Sequence, residues 1–141
     1  MKRMLISILL AATATTIVPF FAQASQMVWS ELVNDAYVTI SYDLNNQQVE
    51  PKTKSVIVWS KIVYHIDETD RPYDTIHSQT RILCAEYQYS LIHMTTLNKG
   101  KTVEIDNMVN PPRAIKAGTV LSEIARRVCR NNKQLDKGVS I

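Results

Sequence analysis

Cys84 and Cys129 are the only cysteines of this 141-residue chain. Two thiols can form a bridge, bind a metal with other ligands, or supply a nucleophile, and the compartment decides between these. Lys2 and Arg3 open the chain with positive charge, residues 4–21 are apolar, and Ala22-Gln23-Ala24 is a small-x-small site of the kind signal peptidase cuts. Residues 1–24 are therefore expected to be a cleavable signal, with the mature domain starting at Ser25. Outside the cytoplasm thiols oxidise and disulfides persist. One structural bridge, Cys84 to Cys129, is the expectation, with no metal site and no nucleophile.

The remaining residue types capable of chemistry are scattered. His65, His77 and His93 are the three histidines. His65 with Asp67 is at most half a metal site, and no H-x-x-H or cysteine-rich spacing completes it. Asp67, Glu68, Asp70 and Asp74 crowd one loop but lack the spacing and the glycine of an EF-hand, so a solvated loop is the plainer account. No serine sits in a G-x-S-x-G elbow. The expectation is a protein that is not an enzyme and holds no cofactor.

Arg126, Arg127, Arg130 and Lys133 make the best surface candidate. They suit either complementation of a helix dipole or a patch that docks acidic protein segments, glycosaminoglycan or anionic head groups. Tyr37, Tyr42, Tyr64, Tyr73, Tyr87 and Tyr89 divide between core packing and exposed contacts, since aromatic residues are enriched at interfaces. The net charge is +3. Lys2 and Arg3 leave with the signal, so the mature net is +1, which argues against nucleic acid as a partner.

The elements that must position these groups are mostly strands. Residues 37–42 alternate Val38, Ile40 and Tyr42 against Tyr37, Thr39 and Ser41, and Asn45-Asn46 marks a turn. Residues 55–66 carry apolar side chains on both faces, the pattern of a central, covered strand. Strands are expected over 75–84 and 86–97, with a bulge or bend near Ala85-Glu86 where the apolar parity flips. Asn98-Lys99-Gly100 is a hairpin turn into residues 102–105, and Pro111-Pro112 ends regular pairing. The mature portion suffices for one small domain. No second apolar stretch is long enough to span a bilayer, so no transmembrane segment is expected after cleavage.

The one helix follows Gly118. Thr119 suits the N-cap and Glu123 the first turn, while the arginines gather at the far end. Leu121, Ile124, Ala125 and Val128 form an apolar stripe, and Cys129 lies beside it. The helix should therefore pack on the sheet that carries Cys84. Closing a loop of about 45 residues is worth on the order of 4 kcal/mol. The fold class is α+β: a small antiparallel sheet with a C-terminal helix across one face, tethered by a disulfide.

Trp29, Tyr42-Asp43, the Val56-Ile57-Val58-Trp59 strand with Lys61, Arg81-Ile82-Leu83-Cys84, and Ile115-Lys116-Ala117-Gly118-Thr119-Val120 leading through Glu123-Ile124-Ala125 to Val128-Cys129 occur in an order that resembles the surface-adhesin protein E domain of Gram-negative bacteria. The resemblance covers nearly all of residues 25–141. It implies the same sheet and tethered helix, a cell-surface role in binding host extracellular-matrix or plasma proteins, and a homodimer as one arrangement. The lipid anchor of the adhesin that names the family needs a cysteine that this chain lacks at the predicted cut. The expectation is an exported protein, periplasmic, secreted or at the cell surface, without a lipid anchor. A periplasmic, envelope-associated structural domain with no host ligand is the alternative.

Overall fold

The computed structural model describes residues 26–66, 70–107 and 109–132. The predicted signal, Asp67, Glu68 and Lys133 lie outside the described residues. Within them, eight strands form one antiparallel sheet. β1 (Trp29–Asn34), β2 (Val38–Asp43), β4 (Ser55–Tyr64), β5 (Thr75–Leu83), β6 (Gln88–Asn98) and β7 (Lys101–Asp106) follow in the order β1-β2-β4-β5-β6-β7. The short β3 (Gln48–Glu50) pairs with the first residues of β4, and β8 (Arg113–Ala114) with the start of β6. The helix α1 spans Val120–Asn131, with Thr119 as N-cap accepting from the Ser122 amide.

Register sorts the side chains because strand residues alternate faces. Val56 lies opposite Ile82 and Val58 opposite Thr80, while Ile40 and Ile76 flank Ile62. Tyr42, Val56, Val58 and Ile82 meet Ile115, Ile124, Ala125 and Val128 in a single buried cluster. Ile82, Val56, Ala125 and Val128 are all fully buried. Each large aliphatic side chain so placed contributes about 1.5–3 kcal/mol over its exposed state. The amphipathic stripe on α1 therefore finds an apolar sheet face, and the α+β class follows.

Several local expectations change. Of the bulge or bend expected near Ala85-Glu86, the structure shows the bend, as a four-residue turn. Residues 84–87 form that turn, and β6 returns antiparallel to β5, which puts Tyr89 opposite Ile82. Tyr87 takes a left-handed conformation there with φ 53°. The bulge between these strands sits at Gln79/Thr80 instead. Burial on both faces of residues 55–66 holds for Ser55, Val56, Ile57 and Val58 and gives way to half-burial from Trp59 onward. The core cluster includes no β4 residue beyond Val58. Pro111-Pro112 interrupts pairing only briefly, since β8 follows at once. The hairpin at Lys99-Gly100 has positive φ at both residues, 49° and 77°. That geometry matches the twist of its strands.

Candidate functional site

The two sulfurs form the predicted bridge, with Cα atoms 5.7 Å apart and an S–S length of 2.03 Å. Both cysteines pack against the apolar cluster beneath α1. Their chemistry is spent on tethering, and no free cysteine occurs among the described residues.

The basic end of α1 is largely occupied by its own first turn. Glu123 accepts from Arg126 Nε at 2.9 Å and from Arg127 Nε at 2.6 Å. The two guanidinium groups, Arg126 first, hold the Glu123 carboxyl down to about 2. In return Glu123 raises both arginines above their ordinary value, and the Tyr42 hydroxyl adds to the effect on Arg127. Arg130 is exposed. Lys133 lies outside the described residues. The structure thus gathers two of the four predicted basic residues onto one carboxylate.

The histidines do not converge. His65 Nε2 lies 2.8 Å from Thr39 Oγ1, near one end of the sheet. His77 and His93 stand on β5 and β6 beside two tryptophans, His77 at 5.6 Å from Trp29 and His93 at 5.5 Å from Trp59, centroid to centroid. Lys61 Nζ lies 4.5 Å from the Trp29 ring centroid. Among the described residues no three His, Cys, Asp or Glu side chains are grouped for a metal. From the acidic loop, Asp74 accepts the Lys99 amide and the Thr75 hydroxyl, both at 2.8 Å, and so ties one turn to another. Of the tyrosines, Tyr42 is core, Tyr37 and Tyr87 are exposed, and Tyr64, Tyr73 and Tyr89 are half-buried.

A site that sequence reasoning missed lies on the sheet face opposite α1. Ile57 and Arg81 are register partners, as are Ser55 and Leu83, and Ser90 faces Arg81 from β6. By alternation these residues point away from Val56 and Ile82, hence away from the helix. Arg81, Leu83 and Ser90 floor a groove of about 920 Å³. One wall is the β3–β4 hairpin, including Val49 and Pro51, and the other is residues 109–112. Glu50 reaches into this groove from β3. Its Oε2 accepts from Arg81 Nε at 3.0 Å, Ser55 Oγ at 2.9 Å and Thr53 Oγ1 at 3.2 Å. The Arg81 bond, with help from Ser55, holds the Glu50 carboxyl below its usual range. Arg81 is the one Lys, Arg, Asp or Glu in β5, and that was the available signal, since a half-buried guanidinium needs a partner. That partner lies 31 positions away, beyond any local pattern.

Compared with protein-family models, curated proteins and solved structures, the chain matches none of them. No described helix is long and apolar enough to cross a membrane.

Proposed function

We propose that this chain is a non-catalytic binding domain of an exported protein, adhesin-like, whose partner is a host extracellular-matrix or plasma protein. The observation that carries the reading is the groove opposite α1. It has the size of a recognition site, apolar walls and a few placed polar groups. The groups in it that could have done chemistry are committed to structure. Glu50 is held charged by Arg81, which makes it a poor proton acceptor, and the Arg81 guanidinium is taken up by that pair. The signal-like opening supports export, and the resemblance to the protein E domain supports adhesion.

Protease shaving of intact cells, paired with biolayer interferometry of the exported protein against matrix and plasma proteins, tests this reading. Surface cleavage together with saturable binding is the expected result. Complete protection from protease and no binding to any of these proteins would overturn it in favour of an envelope-associated role.

A further inference from the structure

We propose that the groove between the β3–β4 hairpin and residues 109–112 receives an extended, apolar peptide segment bearing an acidic side chain, whose carboxylate lies against Lys52. This rests on the binding role just proposed and specifies the partner's chemistry.

The walls set the apolar requirement. Val109 stands 68% exposed at the rim, and Pro51, Pro111 and Pro112 line the sides. Proline fixes its own φ, so these walls are already ordered before a partner arrives, which lowers the cost of binding. The proline-bearing wall residues are exposed, as are Lys52 and Thr53. The site is therefore an open trough along the surface. A chain laid along it would cover both walls at once, whereas a compact small molecule would leave much of its own surface in water.

Charge decides the polar requirement. The charged lining residues are Glu50, Arg81 and Lys52. Glu50 and Arg81 neutralise each other, with Arg81 Nη2 also 3.3 Å from Glu50 Oε1. A ligand can lie over that pair without having to compensate it. Lys52 is exposed and has no acidic partner among the described residues. The groove accordingly presents one uncompensated positive charge at an apolar rim. An acidic side chain flanked by apolar residues complements it, and a basic one is repelled.

The test uses fluorescein-labelled ten-residue peptides of leucine, valine and serine with a central glutamate, glutamine or lysine, titrated by anisotropy into the exported protein with its disulfide intact. The glutamate peptide should bind best, the glutamine peptide about two- to fivefold more weakly, as for a single exposed ion pair, and the lysine peptide weaker still. Lys52→Glu should reverse that order. Val109→Arg should weaken all three at least tenfold with an unchanged melting curve, because the side chain it replaces is mostly in water. Equal affinity for the glutamate and lysine peptides, or an unchanged order in Lys52→Glu, would overturn the proposal. So would peptide binding indifferent to Val109→Arg. If matrix-protein binding persists while the peptides fail, the groove assignment falls and the binding role stands. If the peptides bind as expected while no matrix or plasma protein does, the host-ligand reading falls and the groove assignment stands.

Discussion

Leu83 and Cys84 are adjacent in the chain yet serve opposite faces of the sheet. Leu83 floors the groove, while Cys84 joins the cluster beneath α1 through its bond to Cys129. The Cys84 amide also donates to the Lys54 carbonyl at 3.2 Å, in the turn that leads from β3 into β4. The end of β5 is therefore held by the helix tether on one side and by a groove wall on the other.

Removing the tether should be costly. The bridge closes a loop of 45 positions, and chain entropy assigns such a closure about 4 kcal/mol. For a domain of this size that corresponds to a melting temperature lower by on the order of 15 °C. Cys129→Ser, or the parent under reductant, should show this drop by circular dichroism. Coincident melting curves with and without reductant would remove the tether from the stability argument.

Asp43 anchors the β2–β3 bend. It is fully buried and accepts from the Val28 amide at 2.9 Å, the Asn45 amide at 3.0 Å and the Asn46 side chain. Burial alone would raise its carboxyl, but the Asn45, Asn46 and Val28 bonds outweigh it and leave it below the usual value. A lowered folded value stabilises the fold above the unfolded value near 4 and ceases to as pH falls through the folded one. Asp43→Asn should cost on the order of 3 kcal/mol at pH 7, and the gap to the parent should narrow as pH falls through the lowered folded value. A gap independent of pH would show that the charge is not what matters.

The double clamp on Glu123 is directly measurable. Its carboxyl should titrate near 2 by carbon-detected NMR, and Arg127→Ala should move the midpoint upward by removing one of its two guanidinium partners. A midpoint at the ordinary 4.5 in the parent would dissolve the clamp and return both arginines to the surface as free charges.

The legibility of these features followed their range along the chain. α1 was readable because its cap, its stripe and its charge gradient all lie within Thr119 to Arg130, and Cys129 falls beside that stripe. The turn at residues 84–87 reads only as a bulge or bend because no glycine, asparagine or proline marks it, and Tyr87 supplies the left-handed residue instead. β3 and β8, of three and two residues, are too short to show a period and exist through pairing with β4 and β6. The groove was illegible for the same reason. Glu50, Arg81 and residues 109–112 come from three distant stretches, and only the sheet register brings them together.

His77 should behave as a neutral, sheltered imidazole. It is half-buried on β5 directly opposite Lys61 on one side and Thr95 on the other, with the Trp29 ring against it. Desolvation, and then the Lys61 charge, push its titration below the ordinary 6.5. The unfolded chain thus binds the proton more readily, so the stability tied to neutral His77 is complete above about 6.5 and is lost as pH falls through the folded value. Proton NMR of the ring should place its midpoint below 6.5. Lys61→Met should recover only part of the shift, because burial is the larger cause. A full return to 6.5 in that variant would make the lysine the dominant influence, and a parent midpoint at 6.5 would mean that the ring is as well hydrated as a free one.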